Sequence, residues 1–201
     1  AVSPSYHGYD VVDYFTVNPE YGTNDDFKRL MEEAHARGIR VILDFVGNHV
    51  HSSSNLWQQH QHGDWFNTLC VCGVSCSWDG ADGIRCWFTD YLPDLELRDT
   101  AITAREVDDI AWWIERYDLD GVRVDAVPMM PRLTVRHLSY ELSRRFERGG
   151  TELYVVGETF TGSDGHGLIM DYVNDYELDA QFHFQLFWII RKPLSPPQVS
   201  Q

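Results

Sequence analysis

Asp120-Gly-Val-Arg-Val-Asp125 is a short apolar run, led in by Tyr117-Asp-Leu and rich in β-branched residues, that delivers an acidic side chain at its end. A run with two apolar faces reads as a buried parallel strand. Tyr154-Val-Val-Gly-Glu158, with Leu153 before it, has the same form. So has Ile39-Arg-Val-Ile-Leu-Asp-Phe-Val46, which leads into Gly47-Asn48-His49. Strands of this kind, each followed by polar groups, bring those groups to one sheet edge, where the loops of β-α units converge.

Helical stretches separate the strands. Over 24–37, Phe27, Leu30, Met31 and Ala34 share a helical face, with Asn24 as the expected N-cap and Gly38 as the stop. Val107, Ile110, Ala111 and Ile114 do the same over 103–117. Leu138, Leu142 and Phe146 follow over 134–148, which Gly149-Gly150 closes. Helix then strand, repeated, predicts an α/β fold with a parallel sheet, and residues 178–184 supply one further strand.

Residues 51–98 break this rhythm. The segment is too long for an ordinary connection and holds all four cysteines, Cys70, Cys72, Cys76 and Cys86, so it reads as a small inserted, loop-rich domain. Without a Cys-x-x-Cys knuckle, two disulfides in any of three pairings suit it better than zinc, and they imply an oxidising location, extracellular or periplasmic. Trp57, Trp65, Trp78 and Trp87 in this segment are candidates to line a cleft, whereas Trp112 and Trp113 read as core. His60 and His62 read as solvated, His35 and His137 as helix residues without a special role, and 171–177 as a charged loop face. The net charge of −15 argues against a nucleic-acid partner, and no apolar run reaches the length of a membrane span.

Two carboxylates at neighbouring strand ends are the equipment of glycoside hydrolysis. Arg123 lies two residues before Asp125 and therefore points to the same face, where its guanidinium is expected to keep that carboxylate ionised. Glu158, as a proton donor, would need drier or more negative surroundings than Asp125.

Read motif by motif, the chain resembles the α-amylase family, glycoside hydrolase family thirteen. The residues that carry the resemblance are Tyr6-His-Gly-Tyr-Asp10, Asp44-Phe-Val-Gly-Asn-His49, Leu92-Pro-Asp-Leu-Glu96, Gly121-Val-Arg-Val-Asp125 and Gly157-Glu158, in the family's order. It implies a (β/α)8 TIM barrel and retaining hydrolysis of α-1,4-glucosidic bonds in starch or maltooligosaccharides. Asp125 would be the nucleophile and Glu158 the acid/base. Tyr9 would stack on a sugar ring, His49, His7 and Arg123 would assist binding, and Asp44 would give structural support. It also implies a structural Ca2+, with side-chain oxygens of Asn48 and Asp94 and the carbonyl of Met129 as ligands. Pro128 and Met129 stand where the family often has lysine and histidine, and Ala126-Val-Pro is similar to α-glucosidases and trehalose-forming relatives. A transglycosylase or isomerase is therefore an alternative, and a non-catalytic carbohydrate-binding remnant is another.

A whole barrel takes about 250 residues, against 201 here. In the expected layout, residues 1–50 belong to the barrel and carry its third strand, 51–98 form the insert, and 99–190 return to the barrel with the fourth to sixth strands. Residues 191–201 are a Pro-rich tail, unable to form helix or strand. No Asn-His-Asp motif follows to supply the family's third catalytic acid. The chain alone is accordingly expected to be inactive or very weakly active, and its open sheet edges to favour self-association or a completing chain.

Overall fold

Val122 and Val124 have no exposed surface, because the strand that carries them is paired on both sides. The computed structural model describes residues 1–148 and 150–194. In it β2 (Gly121–Val124) lies between β1 (Ile42–Phe45) and β3 (Tyr154–Gly157), and β4 (Ala180–Gln181) closes one edge of a four-stranded, all-parallel sheet in sequential order. Asp44 is in register with Arg123, and Arg123 with Val156. Gly121 is required where β2 meets β3: a Cβ there would lie 2.1 Å from the Tyr154 carbonyl oxygen.

The helices between these strands cover the sheet. The longest, α4 (Thr100–Tyr117), buries Val107, Ile110, Ala111 and Ile114 as its periodicity predicts, and packs beside α5 (Arg132–Phe146), which buries Leu138 and Leu142. α1 (Asn24–His35) buries Met31 and sets the Phe27 ring edge-on to Trp113 and Tyr117, while Leu30 of the expected face is exposed. Its N-cap is Thr23 rather than Asn24. The Thr23 hydroxyl accepts from Asp26 N–H while the Asp26 carboxylate accepts from Thr23 N–H, a reciprocal capping box.

The strand expected from residue 39 begins at Ile42. Gly38 adopts φ 70° and the Ile39 N–H bonds back to the Ala34 carbonyl, so Ile39 closes the helix. His35, expected to have no special role, shares the Asp120 carboxylate with Arg40 and the Val41 N–H, tying the α1–β1 turn to the start of β2. At the other edge β4 is two residues long, not seven, because Leu178 tucks beneath Gly157 and the chain turns helical from Phe184.

α7 (Phe184–Leu194) also takes in the first residues of the expected tail, since the apolar run from Phe184 to Ile190 carries the helix onward and Pro193 falls in its last turn. Residues 195–201 of that tail, and Gly149, lie outside the described residues. Nor is 171–177 simply a charged face. After α6 (His166–Asp171), the Glu177 side chain is fully buried and held by Arg132, Arg136 and Asn174, whose hydrogen bonds pull its carboxyl down to about 2.

Segment 51–98 holds the short helices α2 (Asn55–His60) and α3 (Gly80–Gly83). The chain leaves and re-enters the sheet layer at one place, through an antiparallel bridge between His49 and Asp94. The cysteines pair as Cys70–Cys76 and Cys72–Cys86. Among the described residues, no helix is long and apolar enough to cross a membrane.

Candidate active site

Arg123 organises the strand ends. Its Nη1 donates to Asp44 Oδ1 at 2.7 Å and also to Asp125 Oδ1, and its Nη2 lies 2.7 Å from Glu158 Oε2. One planar fork thus touches carboxylates from three successive strands. Burial works against its charge, but Asp125, Asp44 and Glu158 together hold the guanidinium well above its ordinary range. Directly after Asp125, Ala126 sits at φ 48°. That left-handed geometry is costly for a residue with a Cβ, and such strain gathers at functional sites.

The electrostatics correct one expectation. Arg123 was expected to keep Asp125 ionised, yet burial pushes the Asp125 carboxyl up to about 7, Glu158 and Asp44 add to the rise, and the Arg123 contact offsets only part of it. Of the two kinds of surroundings expected to suit Glu158, the drier one is not found: the Asp125 side chain is 10% exposed and that of Glu158 25%. β2 is central, whereas β3 has only the two-residue β4 beyond it, so the acid on β2 is the drier one.

Tyr9 and His7 come to this cluster from the N-terminal segment. The Tyr9 hydroxyl donates to Asp44 Oδ2 at 3.1 Å, its ring faces the Arg123 guanidinium, and the His7 ring stacks on it at 5.7 Å. His49 is buried, donates from Nε2 to the Tyr9 carbonyl at 3.2 Å, and is lowered by burial to about 4, which leaves it neutral at pH 7. Asp10, which closes the Tyr6–Asp10 motif and had no role expected of it, is also buried here, 4.0 Å from His7.

These residues line a cleft of about 860 Å3, whose other walls include Trp78, Phe88, Tyr91, Met129 and Phe160. Of the four tryptophans expected to line a cleft, Trp78 does so. Trp87 is buried, and Trp57 stands edge-on to it and to Phe66. Trp65 packs against the core and carries the His60 ring stacked at 3.9 Å, so His60 is not simply solvated. Phe88 and Phe160 lie in irregular stretches whose pattern gives no facing direction, so only their aromatic character could have pointed to them.

Asn48 and Asp94 also meet. The Asp94 carboxylate accepts from Asn48 Nδ2 at 2.9 Å and Asn67 Nδ2 at 2.8 Å, and burial raises its carboxyl well above the ordinary range. Asn48 Oδ1 is buried without a hydrogen-bond partner. A carboxylate and an orphaned amide oxygen fit a hard cation in kind, although the described residues hold no group of three His, Cys, Asp or Glu able to bind one. Met129 lies in the turn Val127–Met129, with its N–H on the Ala126 carbonyl.

The family model described as "Alpha amylase, catalytic domain" matches residues 2–195. An intracellular maltogenic amylase of Bacillus subtilis is 29% identical over 170 residues, covering 81% of this chain and 27% of that protein. A trehalose synthase/amylase of Mycobacterium tuberculosis is 33% identical over 176 residues, covering 76% of this chain and 26% of that protein. Among solved structures, the α-amylase of Geobacillus thermoleovorans in complex with acarbose superposes with a TM-score of 0.81 at 28% identity, over 94% of this chain and 41% of that one. The chain thus spans about a quarter of the length of these curated relatives, and its sheet is four parallel strands of a TIM barrel. With that match over nearly all of its residues, the chain belongs to the α-amylase family of glycoside hydrolases.

Proposed function

We propose that the cleft cleaves α-1,4-glucosidic bonds in starch or maltooligosaccharides with retention of configuration. Asp125 attacks the anomeric carbon, Glu158 gives its proton to the departing glycosidic oxygen, and Glu158 then takes a proton from the water that releases the glycosyl ester. The observation that carries this reading is the single Arg123 fork reaching both Asp125 and Glu158 at the floor of an aromatic-walled cleft. Tyr9 offers a face for the apolar side of a pyranose. Neutral His49, with His7 and Arg123, supplies polar contacts, and Asp44 holds Arg123 and Tyr9.

A fluorinated glucosyl probe, whose covalent ester breaks down slowly, tests the reaction. Mass spectrometry should find the adduct on the peptide containing Asp125 and none in Asp125→Asn. Sugar binding without any adduct would favour a carbohydrate-binding role, and an adduct on another residue would overturn the assignment.

Transglycosylation or isomerisation is a second reading, favoured by Pro128-Met129 and by the 33% identity to a trehalose synthase/amylase. Trehalose formed from maltose would establish it.

The described strands correspond in this reading to the third to sixth of the barrel, with 51–98 as the inserted unit. Asn48 and Asp94 would hold a structural Ca2+, with the Met129 carbonyl as a further oxygen donor. The ion would supply positive charge to the buried Asp94 carboxylate. Calcium should then raise the melting temperature over that in chelator, a difference Asp94→Asn should abolish; equal melting in both would remove calcium from the account. The two disulfides suit an extracellular or periplasmic location, whereas the Bacillus subtilis relative is named intracellular. Disulfides fully formed in protein recovered from the native host would support export; free thiols would contradict it.

A further inference from the structure

We infer that Trp78 determines which chain lengths the cleft prefers, as a second sugar platform, and that the disulfides Cys70–Cys76 and Cys72–Cys86 hold it in the wall. The inference rests on the reading of the cleft as an α-glucan site.

Trp78 is 46% exposed. A large aromatic left half bare in the wall of a cleft that also holds two carboxylates is a poor candidate for core and a good one for a ring-stacking surface. Its position is fixed from several sides. A Cβ on Gly73 would lie 2.5 Å from the indole Nε1, and one on Gly83 would lie 2.5 Å from the Trp78 carbonyl oxygen, so the tryptophan is seated between two glycine backbones. Its ring contacts Phe88, tilted at 5.6 Å, and Phe88 in turn meets the His49 ring at 4.9 Å.

The bridges frame this seat. Cys72 and Cys76 flank Gly73, Cys76 lies two residues before Trp78, and Cys86 lies two before Phe88. Regular structure contributes little: α3, which follows Trp78 in the chain, has four residues, and the other contacts near the bridges are isolated ones, Val71 with Trp87 and Cys72 with Cys76. Cross-links are therefore what keep so loop-rich a segment in one arrangement.

Tyr9 and Trp78 occupy different parts of the cleft. Tyr9 stands with Asp44 and Arg123, while Trp78 neighbours Gly83, which faces the Met129 sulfur. A short sugar can rest on the Tyr9 side alone. A longer glucan that continues past the carboxylates reaches the Trp78 ring as well, and gains a stacking contact that maltose does not make.

Binding of maltose and of maltoheptaose, measured calorimetrically on the 201-residue chain, tests the inference. Trp78→Ala should weaken maltoheptaose about tenfold and maltose less than about twofold, and Trp78→Phe should restore most of the loss. Dithiothreitol, which gives each bridge two electrons and two protons and is itself oxidised to a cyclic disulfide, should weaken maltoheptaose binding by wild type to a similar degree. It should add little to the loss in Trp78→Ala, because both changes remove the same contact. A Trp78→Ala chain that binds maltoheptaose as wild type does would overturn the proposal. So would a reduced Trp78→Ala chain that loses as much further affinity as wild type loses on reduction. Thermal melting of each sample separates loss of the platform from loss of the fold. An oxidised wild-type chain that binds neither sugar would instead defeat the glucan reading on which the inference stands.

Discussion

Arg123 is the residue through which the site holds together, and its position was legible because strand geometry leaves little choice. Two residues before Asp125, it must share that residue's face, and register brings it beside Asp44. What could not be read was the balance between its attraction and the loss of water, since burial depends on how many strands flank each acid. That balance has a measurable sign. Asp125 is raised in the folded chain to about 7, against about 4 for a free aspartate. A raised carboxyl contributes stability that is fully present below the unfolded value and lost as pH rises through the folded one. Asp125→Asn removes this dependence. Its melting temperature relative to wild type should therefore rise between about pH 4 and pH 8; a difference constant across that range would contradict the burial argument. The same titration predicts that, with a glycosyl fluoride whose leaving group needs no proton from Glu158, ester formation on Asp125 accelerates as pH climbs toward about 7.

Among the elements, long amphipathic helices were the easiest to read. α4 and α5 bury the residues their period selects, because a stripe of that width has nowhere to go but the sheet. Short elements were harder. Periodicity cannot distinguish a strand from an apolar turn that closes a helix, as at Ile39, or from a side chain tucked under a neighbouring strand, as at Leu178. The cysteines revealed that cross-links exist, but three pairings satisfy the same sequence and only the folded backbone selects one. Gly121 gives the element scale its test. Gly121→Ala would force its new methyl group against the Tyr154 carbonyl and separate β2 from β3. We expect a loss of about 3 kcal/mol or more in denaturant unfolding, as for severe overpacking. A change below about 0.5 kcal/mol, the range of an ordinary surface substitution, would show that the two strands do not approach so closely.

At the scale of the whole molecule, the sheet pairs β1 and β4 on one side each among the described residues. α7 beside it leaves Leu186, Phe187, Ile189 and Ile190 about half exposed or more. Edges and apolar faces of this kind favour association. Size-exclusion chromatography of the 201-residue chain should show species larger than a monomer, growing with concentration, and a monomer at all concentrations would contradict this. The α/β class and the family were legible because motifs at several strand ends recur in a fixed order. Which of the cleft's aromatics face the carboxylates was not, since that depends on how 51–98 folds back over the sheet. The central claim is that Asp125 and Glu158 face one sugar-sized space beneath those aromatics. A crystal structure of the chain soaked with acarbose tests it most directly. The account predicts the inhibitor within the cleft, with Asp125 and Glu158 on the same ring or the bond beside it. Acarbose bound elsewhere, or the two carboxylates turned to opposite sides of the sheet, would contradict it.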